Sequence, residues 1–234
     1  MGVKMKKTAL IVFITVILLC SCSKKVDSDF LEFPKTNWGI SMTETLNAYG
    51  ITEKDTSDYK DGSVFVINGY QMFGEKTSKI IFNFINFKKG DQKLCSVRVT
   101  YPESADMNKV LKEMKKAYGK TVSDIRIYGL FQVFEDRLPE KNYAESDHLK
   151  LWTSEKSVLQ SIPENQYENY SNRWEKYQPS LNNDNWGTFS QNARLVTVVW
   201  SDNGEFPSLE KFALDFNGYN LVVLNEIKSQ LPEK

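Results

Sequence analysis

Ile80-Ile81-Phe82-Asn83-Phe84-Ile85-Asn86-Phe87 and Leu94-Cys95-Ser96-Val97-Arg98-Val99-Thr100-Tyr101 flank the polar joint Lys88-Lys89-Gly90-Asp91-Gln92-Lys93. Both flanks are rich in β-branched and aromatic residues and the joint carries a glycine, so the stretch reads as a β-hairpin. In its second arm Cys95, Val97, Val99 and Tyr101 alternate with Ser96, Arg98 and Thr100, the period of a strand with one apolar face. Cys95 falls on that face with no histidine beside it in sequence, and reads as a small buried hydrophobe rather than a nucleophile.

Immediately upstream, Val64-Phe65-Val66-Ile67 and Tyr70-Gln71-Met72-Phe73 flank Asn68-Gly69, the strongest short hairpin signal. The four strands so predicted are bracketed by two helices. Ser41 and Glu44 stand at capping-box spacing, Met42, Leu46 and Tyr49 share a face, and Gly50 with Ile51 closes the helix. After Pro102, Asp106 to Tyr118 forms an amphipathic helix ended by Gly119. Its apolar stripe is Met107, Val110, Leu111, Met114, Ala117 and Tyr118. Lys109, Lys112, Lys115 and Lys116 line its other side, and Glu113 interrupts them, so they read as a solvated face rather than a lipid-binding one.

Trp38-Gly39-Ile40-Ser41 before a short helix and antiparallel strands resembles small helix-plus-sheet modules of secreted bacterial proteins. The lipoprotein subunit of the outer-membrane assembly machinery and the β-lactamase inhibitor proteins are examples. The resemblance spans Trp38 to Tyr101, implies a fold, and carries no functional residues over.

Further along, Ile125 to Phe134 reads as a strand kinked at Gly129, Glu135 to Asp147 as a charged loop, and Ser154 to Ile162 as a short helix. In Glu164 to Tyr177 the residues Tyr167, Tyr170, Trp174 and Tyr177 recur at helical spacing, while aliphatic residues are missing. Such a face is either a ligand platform, with nearby amides and carboxylates suited to a sugar or peptide, or a core face packed on the sheet. Pro179 to Gln191 is Asn-rich and loop-like; its Asn185-Trp186-Gly187 repeats Asn37-Trp38-Gly39, but three shared residues make no internal repeat. Leu195 to Trp200, Phe212 to Phe216 and Tyr219 to Leu224 read as a three-stranded antiparallel unit, with turns at Asp202-Asn203-Gly204 and Asn217-Gly218. The fold class expected is α+β, antiparallel sheet built from hairpins with a few helices on one face.

Catalytic patterns are sparse. His148 is the one histidine and sits in a charged stretch, where it reads as a surface residue. Cys-x-x-Cys, His-Glu-x-x-His, calcium-loop, phosphate-loop and Gly-x-Ser-x-Gly patterns are all missing, so no catalytic residue, metal or cofactor is assigned. Carboxylate pairs of the glycosidase type leave no sequence signature and stay open.

The N-terminal stretch says where the protein sits. Lys4, Lys6 and Lys7 precede an apolar run from Ala9 to Leu19, the layout of a secretory leader. That run is shorter than the about 20 apolar residues a spanning helix needs. Leu19-Cys20-Ser21-Cys22 resembles a bacterial lipobox, with leucine three before the modified cysteine and a small residue directly before it. The resemblance implies a diacylglyceryl thioether on Cys22, often with an acylated amine, and more than one acyl chain makes such an anchor stable. Ser23 stands where an enteric retention signal has Asp. The location expected is the outer face of the cell membrane, or the periplasm and outer membrane in a two-membrane host. Residues 1–21 are then a leader, 22–35 a tether in which Phe30 to Phe33 begins the docked part, 36–120 a first α+β module, and 121–234 a second portion packed on it.

Composition agrees with an envelope protein. The chain has 30 basic and 30 acidic residues, and removing residues 1–21 takes only lysines, so the remainder is slightly acidic and no nucleic-acid partner is expected. With Cys20 cleaved and Cys22 lipidated, Cys95 stands alone and no internal disulfide forms. The function expected is a lipid-anchored extracytoplasmic binding or interaction protein, with the membrane and an envelope protein or cell-wall ligand as partners. The alternatives are an enzyme acting on cell-wall glycan or peptide and an envelope scaffold.

Overall fold

The structure, a computed structural model, describes residues 31–60, 63–88, 90–122, 147–202 and 211–232. In chain order the first half runs α1 (Met42–Tyr49), β1 (Ser57–Lys60), β2 (Val64–Asn68), β3 (Gln71–Met72), β4 (Glu75–Lys76), β5 (Lys79–Lys88), β6 (Asp91–Thr100) and α2 (Met107–Tyr118). The second half runs β7 (Leu149–Thr153), α3 (Tyr167–Trp174), α4 (Asn183–Asn192), β8 (Thr197–Ser201), β9 (Ala213–Asn217) and α5 (Tyr219–Ser229). The main strands form one seven-stranded antiparallel sheet, ordered β1-β2-β5-β6-β9-β8-β7, and β3 pairs with β4 in a separate ribbon. The fold is α+β.

The β5–β6 hairpin forms as its sequence predicts, with longer arms and a tighter joint. Asn83 pairs with Ser96 but Phe84 pairs with Leu94, so one residue of β6 is extra. That residue is Cys95, and the bulge turns Leu94, not Cys95, into the core beside Val97 and Val99. Cys95 is buried all the same, its thiol 3.4 Å from the Asn83 carbonyl that accepts it.

The Asn68-Gly69 hairpin is a correction. β2 pairs with β5, not with the segment after Gly69, and the intervening residues fold into the β3–β4 ribbon. Its two-residue turn is Phe73-Gly74, where both φ are positive, 47° and 85°, as a type I′ turn demands. Phe73 holds this conformation because its ring lies parallel to Phe216 (6.1 Å, 9°) and meets Tyr118 edge-on (6.1 Å).

Three more elements differ from expectation. The helix expected over Ser154–Ile162 is reduced to a single 3₁₀ turn at Leu159–Ser161, after the strand Leu149–Thr153, to which no element is assigned from sequence, and a bridge from Ser157 to Arg194. Asn183–Asn192 is a helix rather than a loop. Tyr219–Leu224 belongs to α5, so the three-stranded unit is β7, β8 and β9. It joins the first four strands edge to edge, through pairs from Ser96–Asn217 to Thr100–Ala213. The predicted strand Ile125–Phe134 and the loop after it up to residue 146 lie outside the described residues, as do the leader, Cys22 and most of the tether.

One face of the sheet carries the core. Phe65, Ile80, Phe82, Leu94, Val97, Val99, Leu214, Phe216, Val198 and Trp200 join buried side chains of α1 to α5 in one cluster. On the opposite face Arg98 meets Asp215 across β6 and β9 at 2.8 Å. The capping box of α1 is closed in both directions, with Ser41 N donating to Glu44 at 2.8 Å and Glu44 N to Ser41 Oγ at 3.2 Å. Near the first described residues Phe33 is wedged edge-on between Phe82 (5.7 Å) and Phe216 (4.9 Å), and Leu31 is buried.

Burial sets a pH response. Burial pushes the phenols of Tyr49, Tyr101 and Tyr118 upward, that of Tyr219 to about 12, and the Cys95 thiol to about 12. An acid raised on folding is held neutral by the fold and ionises first in the unfolded chain. Its stabilisation is therefore complete below the unfolded value, near 9 for the thiol and 10 for the phenols, and fades as pH rises toward about 12. The urea midpoint is expected to fall between about pH 8 and about pH 10.5. A midpoint unchanged over that range would show that these groups ionise in place.

Candidate functional site

The aromatic face predicted on α3 divides. Tyr170 and Trp174 are 1% and 0% exposed, so they are core. Trp174 packs on Trp186 (5.4 Å) and on Phe189 (5.8 Å) of α4. Tyr177, just past the helix, is held to α5: its carbonyl accepts from the Tyr219 hydroxyl, its own hydroxyl accepts from Gln230 at 3.1 Å, and its ring meets Phe87 edge-on at 5.0 Å. Three of the four aromatics thus fix α3 in place. Tyr167 alone of them lines open space.

That space is a cleft of about 620 Å³ between α3 and α4. Tyr167, Glu168, Ser171 and Asn172 line it from α3, one and four residues apart, a helical face adjacent to the buried one. From α4 come Asp184, Trp186, Gly187, Thr188 and Gln191. A second cavity, about 330 Å³, lies beside Leu195, Leu221 and Leu224 with Lys156 and Lys228 at its rim.

Local sequence explains why α4 forms where a loop was expected. Asn182 accepts from the amides of Asp184 (2.9 Å) and Asn185 (3.3 Å), and the Asn185 side chain accepts from Asn182 N at 2.8 Å. It is a capping box built from two asparagines, with Asp184 placed favourably in the first turn. The Asn182-x-x-Asn185 spacing, with Asp184, Thr188 and Gln191 four and then three residues apart, is the signal for this half of the cleft.

Two features of the cleft have no explanation in local folding. Trp186 is 3% exposed, yet among the described residues its indole N–H has no hydrogen-bond partner; nor have those of Trp174 and Trp200. An unsatisfied buried donor costs about 1–3 kcal/mol. Gly187 stands inside α4, where glycine costs about 1 kcal/mol against alanine. Its φ is not in the left-handed region, and a Cβ there would meet only the Tyr167 hydroxyl, at 3.8 Å. Neither backbone nor packing requires a glycine.

His148 is exposed, with Nδ1 2.9 Å from Asp202 at the end of the β7–β8 pair. Among the described residues no group of three or more His, Cys, Asp and Glu side chains is placed to hold a metal, and no helix is long and apolar enough to cross a membrane. Comparison with protein-family models, curated proteins and solved structures returned no match. The cleft is therefore interpreted from its own chemistry.

Proposed function

We propose that the chain is a lipid-anchored extracytoplasmic binding protein of the bacterial cell envelope, with the α3–α4 cleft as its ligand seat. The observation that carries this reading is the leader ending in Leu19-Cys20-Ser21-Cys22. The short distance from Cys22 to the docked residue Leu31 supports it. At most about 3.5 Å per residue, that tether holds the fold within about 30 Å of the lipid. A cleft of about 620 Å³ is also within the size range of small-ligand sites.

Metabolic labelling with a fatty-acid analogue tests the anchor. Label is expected on the wild-type chain and in the membrane fraction, and neither in Cys22→Ala. Label that persists in the variant would refute Cys22 as the acceptor. Crosslinking of the anchored chain in the envelope, followed by pulldown, then identifies its partner.

A second reading, an enzyme acting on cell-wall glycan, draws on Glu168 and Asp184 lining the same cleft. Both are exposed, whereas a general acid is usually set by an apolar, buried surrounding. Binding is the better-supported activity. Release of reducing ends from a glycan, lost in Glu168→Gln, would reverse that order.

A further inference from the structure

We infer that the α3–α4 cleft takes a neutral saccharide, an inference that rests on the reading of the chain as an envelope binding protein. The lining chemistry selects the ligand class. Among the described residues no Lys, Arg or His lines the cleft, so phosphate, sulfate and carboxylate ligands find no counter-charge there. Aliphatic side chains are also missing from the described lining, so an apolar peptide side chain or an acyl chain finds no socket among these residues.

What the cleft offers instead is a mixture of donors and acceptors. Asn172 and Gln191 present both, Ser171 and Thr188 hydroxyls do the same, and the Glu168 and Asp184 carboxylates accept. Among the described residues the side chains of Glu168, Asn172, Asp184 and Gln191 have no hydrogen-bond or ion-pair partner within the protein. A sugar hydroxyl donates and accepts at once, so a saccharide uses all of these groups. An organic cation would use the carboxylates and leave the amides idle.

Shape points the same way. Tyr167 is half-buried and backed by Trp186, with ring centroids 6.0 Å apart and tilted 49°. This props one aromatic ring at the cleft wall, where the C–H face of a pyranose packs well. Opposite the Tyr167 hydroxyl, Gly187 leaves the helix backbone bare, giving a flat ring room to lie against it.

The test uses the full chain purified in detergent and titrated calorimetrically. The probes are neutral gluco-, manno-, galacto- and N-acetylglucosamine oligosaccharides, with spermidine and polygalacturonate as cationic and anionic controls. At least one neutral series is expected to bind and both controls to fail. Tyr167→Ala is expected to weaken binding about tenfold, the loss of one ring contact. Gly187→Leu fills the cleft with a better helix former, so binding is expected to vanish while the thermal midpoint holds or rises. Asn172→Ala supplies a second, milder loss should Gly187→Leu misfold. No neutral glycan bound at millimolar concentration overturns the inference, as does glycan binding unchanged in Tyr167→Ala and Gly187→Leu, or displacement of glycan by spermidine. Labelling of Cys22 reads the envelope reading separately: a labelled chain that binds no glycan leaves that reading standing and removes the saccharide.

Discussion

Replacing Trp174 by alanine is expected to destabilise the protein by about 3–5 kcal/mol, the range for deleting a large buried aromatic. The side chain is 0% exposed and lies between Trp186 and Phe189, at 5.4 and 5.8 Å, so the surrounding rings would have to close a cavity the size of an indole. Trp174→Phe separates volume from polarity. Among the described residues its indole N–H has no partner, so phenylalanine loses some packing but removes a buried donor that costs about 1–3 kcal/mol to leave unpaired. The phenylalanine variant is therefore expected to keep most of the stability. Tyr167→Ala, at the cleft wall, is expected to change it by only about 1 kcal/mol. Urea midpoints with unchanged m-values decide the ordering. A Trp174→Ala variant as stable as Tyr167→Ala would mean that the inner face of α3 is not core.

That ordering bears on how much of the candidate site could be read in advance. Helical spacing placed Tyr167, Tyr170, Trp174 and Tyr177 on one helix, but spacing cannot say which side of the aromatic stripe faces the sheet. The docking of Tyr177 on α5 and of Trp174 on α4 decides it. The other wall was hidden because α4 lacks the aliphatic stripe that marks most helices. Its buried residues are Trp186, Phe189 and Ser190, and its start is capped by asparagines that also signal loops.

The fold was more legible where apolar and polar residues alternate. β5, β6, α1 and α2 stand where periodicity and caps put them. α5 escaped because Leu221, Val222, Val223 and Leu224 are all buried, so the run has no polar phase to reveal its period. A turn-like Asn217-Gly218 ahead of two valines then favoured a strand. Asn68-Gly69 misled for a different reason. Gly69 does take a positive φ of 66°, but long-range pairing of β2 with β5 outweighs the local turn.

Gly218 itself shows that a glycine read as a turn residue can be needed for space instead. Its φ of −109° is open to alanine, so no backbone strain attends the substitution. A Cβ there would nonetheless lie 2.2 Å from Cδ2 of Trp38, inside the indole ring. Neither partner has freedom to yield. Trp38 Nε1 donates to the Leu31 carbonyl at 3.0 Å, Gly39 N donates to the Leu94 carbonyl at 2.9 Å, and Gly218 N donates to the Cys95 carbonyl at 2.9 Å. The strap formed by residues 31–40 is thus bolted over the start of α5, at the bulge of β6. Gly218→Ala is expected to cost about 1–3 kcal/mol, the range for overpacking a fitted contact. Because the penalty needs the indole, combining Gly218→Ala with Trp38→Leu should lose less stability than the two single changes added together. Strict additivity would show that the Trp38 indole has already left its seat over Gly218.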